Sequence, residues 1–234
     1  MMAARAAMLL GAVLIVLVAF GAADPDTQPS ALRLLASAAV ALLAPLLWPG
    51  AAATRRATLG RVVAWSAVAC CIAILPMVTM ARTKVPLPDV LQTCAVLALM
   101  LLVSHAAVAM LDGHWSQGSG DSRDAREMAG RSVVMTLALL GSMPFWLGPA
   151  GELFSARHAS AIDTMLGLSP LTHLAVASGN DLLRNPWLYQ HSNLAGLQFD
   201  YPGLASLVWC YIALLLGVLA MAAARSDRPM EKTR

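Results

Sequence analysis

SAIDTMLGLSPLTHLAVASG, Ser160–Gly179, is greasy enough for a membrane, yet it divides into two pieces too short to cross one. Ser160 can start a first helix. Ser169 then fits an N-cap, with Pro170 at the first helical position, where its missing N–H costs nothing. Gly179 fits the glycine that closes the second helix. Ile162, Met165, Leu166, Leu171, Leu174 and Val176 make both pieces apolar. Crossing ~30 Å of hydrocarbon takes about 20 residues. The pattern therefore predicts a helical hairpin that dips into the membrane and returns, which is tolerated where protein covers its polar backbone. The stretch that follows, GNDLLRNPWLYQHSNLAGLQFDYPG (Gly179–Gly203), reads as its polar exit at headgroup depth, where Trp187, Tyr189 and Tyr201 are at home.

The chain on either side is that of an integral membrane protein. Of 234 residues, 59% are hydrophobic and 12% charged, against about 25% charged in soluble domains. Six apolar runs stand out, at about 6–22, 31–48, 62–80, 90–111, 132–147 and 204–224. They are long and do not alternate, so helices, not barrel strands, satisfy their backbones in lipid. The expected fold is all-α: a single polytopic bundle of about six transmembrane helices, with a re-entrant hairpin on the outer side, in the loop 148–203, before the last span. No stretch is left for a soluble domain. A net charge of +3 does not point to nucleic acid.

Basic residues orient the bundle. With the N-terminus in the cytoplasm, eleven of the sixteen lysines and arginines fall on inner segments and five on outer ones, which is the expected cytoplasmic excess. Both termini are then cytoplasmic, in a cell inner membrane. Arg5, a short apolar core and Gly21, Ala22 and Ala23 also fit a cleavable signal peptide. The uncleaved anchor is the preferred reading, and cleavage would leave five spans in the same orientation.

Chemistry-bearing residues are few. Cys70, Cys71, Cys94 and Cys210 lie within spans, form no C-x-x-C or Cys/His cluster, and read as small packing residues. Neither a catalytic motif nor a metal or cofactor motif is present. The loop Asp112–Arg131 has a GSG but no phosphate-cradling G-x-x-x-x-G-K-[ST], and its second half is predicted helical from Ser122. The inner loop PGAAATRRATLGR presents Arg55, Arg56 and Arg61, which serve topology and anionic headgroups or dock a cytoplasmic partner. His105 is an ionisable group within a span and so a functional candidate, although one interhelical hydrogen bond satisfies a neutral imidazole. Pro45, Pro76 and Pro144 are expected to bend or end their helices. In the outer loop His173, Asp181, Arg184 and His191 can line a gate, or supply a base and a phosphate-binding arginine to a small membrane enzyme. The bland alternative is an interfacial cover made of caps and turns.

Six spans, two inner termini and an outer hairpin between spans five and six resemble the permeases of type-2 ABC exporters. LSPLTHLAVA is similar to the "NPL" turn that often precedes the last span there, and the likeness covers mainly residues 132–224. The first span here begins almost at once, and the first inner loop is short. The resemblance implies a non-catalytic permease subunit, energised by a separate ATPase subunit and paired with a second permease, the same or different. A small enzyme with an outer-face site and a scaffold subunit of a membrane complex are the alternatives.

Overall fold

The computed structural model describes residues 2–23, 29–50, 52, 54–79, 87–116, 122–146, 159–181 and 200–226. These form eight helices: α1 (Met2–Ala23), α2 (Pro29–Leu46), α3 (Arg55–Thr79), α4 (Leu87–Trp115), α5 (Ser122–Trp146), α6 (Ala159–Leu168), α7 (Pro170–Ala177) and α8 (Leu204–Ser226). No strand occurs among the described residues. Four helices, α1, α3, α4 and α8, are long and apolar enough to cross a membrane, as expected of a multi-pass membrane protein.

The other two expected spans come out differently, for reasons visible in their sequences. Helix α2 stops at Leu46, one residue after Pro45, and its apolar stretch runs only from Ala31 to Leu46. Helix α5 starts at Ser122, as expected, but carries Arg123, Asp124, Arg126, Glu127 and Arg131 in its opening turns, which leaves its uncharged part short of a full span. Those turns hold their own charges together: Glu127 lies 3.4 Å from Arg123 and 3.3 Å from Arg131, each four residues away. Helices α3 and α5 end three and two residues after Pro76 and Pro144 respectively.

Helix α2 is the hub. It packs against α1, α3, α4, α5 and α7, and its Leu34, Ala36, Val40, Ala41 and Ala44 are buried. One core joins Leu9 and Val13 of α1, Val40 of α2, Ala73 of α3, Leu97 and Met100 of α4 and Leu174 of α7. A second core, centred on Trp48, Trp65, Val108 and Ala129, closes the end where α2 finishes. Helix α8 leans on α4 and shows Trp209, Leu214, Leu216 and Met221 outward, a face suited to lipid.

At that end the last turn of α2 is gripped by its neighbours. Arg5 of α1 donates to the carbonyls of Leu47, at 3.1 Å, and of Trp48. Arg61 of α3 donates to the Gly50 carbonyl at 3.1 Å, and the Trp65 indole N–H donates to the Ala44 carbonyl at 3.1 Å. Gly50 has φ +93°, and a Cβ there would run into the Arg126 guanidinium. Helix α5 approaches so closely that a Cβ on Gly130 would fall 2.9 Å from the Pro45 carbonyl oxygen, which is rigid backbone.

Gly130→Ala should therefore push α5 from α2 and lower stability by about 1–3 kcal/mol, the usual cost of overpacking. Gly11→Ala, where nothing lies within 4 Å, should be neutral or slightly stabilising. Thermal unfolding in mild detergent checks the pair, and equal melting temperatures would contradict the close contact.

Candidate functional site

The polar chemistry of the bundle collects around α7, at the end opposite Arg5 and Arg61. Eight residues give α7 little intrinsic stability, so both its ends are fastened. Ser169 is the N-cap: its hydroxyl accepts the Thr172 N–H at 3.4 Å, and Pro170 occupies the first turn. The same hydroxyl lies 3.4 Å from the Gly141 carbonyl of α5. At the other end Gly179 takes φ +67°. Its N–H bonds to the Val176 carbonyl at 3.2 Å, and the Asn180 N–H reaches the Ala175 carbonyl at 2.9 Å. This is the paired closure that a left-handed glycine makes possible, and both caps are those read from the sequence.

Two carbonyls beyond this closure are satisfied by other helices. Arg33 of α2, 6% exposed, donates to the Ser178 carbonyl at 2.8 Å. The Thr93 hydroxyl of α4 lies 2.9 Å from the Ala177 carbonyl and 2.7 Å from the Asp89 carbonyl of its own helix. A cation at the C-terminal end of α7 also meets the negative end of the helix dipole. The Asp89 carboxylate stands 3.6 Å from the Arg33 guanidinium and balances its charge from a half-exposed position.

His173 sits inside this frame. Its Nε2 is 2.8 Å from the Gly167 carbonyl, which can only accept, so Nε2 carries the proton. Nδ1 then accepts from the Tyr211 hydroxyl of α8 at 2.8 Å, with the two rings edge to face. Both nitrogens are thus occupied, and the imidazole ties α6, α7 and α8 together. Asp181 lies on the exposed side and accepts from the Tyr201 hydroxyl at 2.6 Å. The Asp163 carboxylate of α6 accepts the Asp200 N–H at 3.2 Å. These two bonds tie residues 200 and 201 to Asp163 and Asp181 respectively. Arg184 and His191 lie outside the described residues, so the expected outer-loop group is represented by His173 and Asp181, which are engaged at different places.

The remaining candidates are distributed elsewhere. His105 of α4 is fully buried and its Nδ1 is 2.8 Å from the Ser66 hydroxyl of α3, the single interhelical bond that a neutral imidazole needs. It stacks on Trp48 at 5.8 Å, and its Nε2 is buried without a hydrogen-bond partner. Arg56 is exposed, Arg61 is drawn to Gly50, and the side chain of Arg55 is outside the described residues. Among the described residues no group of three or more His, Cys, Asp or Glu could hold a metal ion. Cys70 is buried, with Sγ 3.8 Å from the Cys94 carbonyl, and the four cysteines are unbridged.

Arg33 is the residue that sequence reasoning missed, having been counted only among the outer basic residues. Its signal was available: a lone arginine in the apolar run ALRLLASAAVALLAPLLW, where an ionisable group needs a partner. What the arrangement does chemically is satisfy backbone and position α7. Comparison with family models, with curated proteins and with solved structures yields no match to this chain.

Arg33→Met should leave the buried Ser178 carbonyl unpaired and cost about 1–3 kcal/mol. Asp89→Asn, which keeps the Arg33–Ser178 bond and changes a half-exposed carboxylate, should cost less. Melting temperatures in detergent decide this, and a larger loss for Asp89→Asn would mean that the ion pair, not the carbonyl, holds α7.

Proposed function

We propose that the chain is a permease-like membrane subunit of an ATP-driven transporter, non-catalytic itself and paired with a second permease, the same or different. Six helices span the cell inner membrane with both termini cytoplasmic, and α6–α7 form a re-entrant hairpin on the outer side before the last span. The observation that carries this reading is α7. It is a short, apolar helix held inside the bundle between the fifth and sixth long helices, with its backbone ends satisfied by Ser169, Arg33 and Thr93. A helix so short enters hydrocarbon only under such cover. The shortfall of α2 in apolar length is met in the same way, since its polar end at Leu47–Gly50 is wrapped by Arg5 and Arg61.

The distribution of cations supports the orientation. Arg5, Arg61 and Arg126 converge on the end of α2, so the N-terminus, the α2–α3 turn and the start of α5 share one side. That side carries most of the basic residues and is assigned to the cytoplasm. There the exposed Arg56, with its neighbour Arg55, is proposed to meet an ATPase, while Arg61 donates to Gly50.

A reporter fused after Arg234 should be cytoplasmic and one inserted near Asn193 external; finding both on one side would defeat the six-span arrangement. Purification from the native membrane in mild detergent should retain a nucleotide-binding subunit. Arg55→Glu with Arg56→Glu should reduce that retention without lowering the melting temperature. Absence of any such subunit under gentle conditions would turn the assignment toward a scaffold or a membrane enzyme.

A further inference from the structure

We propose that the gap between α2, α4, α5 and α7 is a binding site for the hydrocarbon tail of a membrane lipid. The gap has a volume of about 230 Å³ and is lined by Ala38 and Ala41 of α2, Met100 of α4, Ala138 and Gly141 of α5, and Leu174 of α7. Dry apolar cavities of about 150 Å³ already take up benzene, so this one admits a longer stretch of chain.

Small residues usually let membrane helices close on one another. Here they do the opposite. The caps of α7 and the bond from Ser169 to the Gly141 carbonyl fix the distance between α5 and α7. Gly141 and Ala138 then lack the side chains to fill what remains. A Cβ on Gly141 would still stand 3.8 Å from the Leu171 Cβ. The walls of an empty gap forfeit dispersion contacts on one side; a polymethylene chain restores them and asks for no hydrogen bond.

Depth and direction identify the occupant. Met100 is at the middle of α4, and Ala38 and Ala41 are at the middle of α2. The lining grades from buried Ala41, Met100 and Leu174 to exposed Ala138, so the gap opens sideways through the flank of α5. At mid-depth on the flank of a membrane protein the surrounding medium is acyl chain. The site is independent of whether an ATPase drives the protein.

The test uses the full chain in phosphatidylcholine vesicles in which one acyl chain carries a mid-chain diazirine. After irradiation, labelled residues are mapped by peptide mass spectrometry. Trp209 and Leu216, on the outward face of α8, report ordinary lipid contact. Met100 and Leu174 are too buried for that contact, and their labelling is the expected result. Ala138→Leu, at the exposed mouth, and Gly141→Leu, inside, should each abolish labelling of Met100 and Leu174. Labelling at α8 should stay unchanged, which also shows that the variants remain inserted. Four results overturn the proposal. Met100 and Leu174 stay unlabelled while α8 is labelled. Both variants leave their labelling intact. Or a free diazirine-bearing short alkane labels them and the phospholipid does not, which assigns the gap to a small apolar molecule. If they are unlabelled and the protein elutes as a dimer, a second copy covers the gap and the proposal also fails.

Discussion

An unpaired carbonyl has nowhere to go in hydrocarbon. Long helices meet this constraint by themselves, because their ends reach water or headgroups. Helices α2 and α7 do not: their last turns finish among other helices. The organisation of the bundle follows from how those turns are satisfied. Arg5 and Arg61 reach the carbonyls of Leu47, Trp48 and Gly50, and Trp65 reaches Ala44. Arg33 reaches Ser178, and Thr93 reaches Ala177. In each place the donor comes from a different helix than the carbonyl, so capping and tertiary packing are the same bonds. A cation at a helix C-terminus is favoured by the dipole as well.

This arrangement divides the molecule into a tight part and a loose one. On the tight side α2 lies against α3 and α4, Gly130 lets α5 touch the Pro45 carbonyl, and Trp48, Trp65 and His105 fill the space between. Towards α7 the spacing is set by polar anchors, not by side-chain volume. There Ser169, His173 and Arg33 hold a short helix at a fixed place, and the flank between α5 and α7 stays underfilled. A short helix held in this way is bonded at its ends and only lightly packed along one side.

The polar groups around the short helix are engaged with backbone and with neighbouring helices. His173 uses both nitrogens, on Gly167 and Tyr211, and Asp89 balances Arg33. A base needs an open lone pair beside an accessible substrate, and His173 offers none.

Much of this was legible in the chain. The greasy composition required helices, the Ser169–Pro170 and Gly179 signals placed α7 to the residue, and the basic residues placed Arg5, Arg61 and Arg126 on one side, all because they rest on local rules: hydropathy, cap geometry and charge. What no local rule contains is which helix supplies the missing donor. Arg33 read as one more outer basic residue, yet it closes a carbonyl 145 positions away; His173 read as a candidate base, yet Gly167 and Tyr211 claim it. The gap beside Gly141 likewise exists only because distant caps fix the distance it spans. Those outcomes belong to the tertiary structure, since satisfying a buried polar group depends on what the other helices bring within about 3 Å of it.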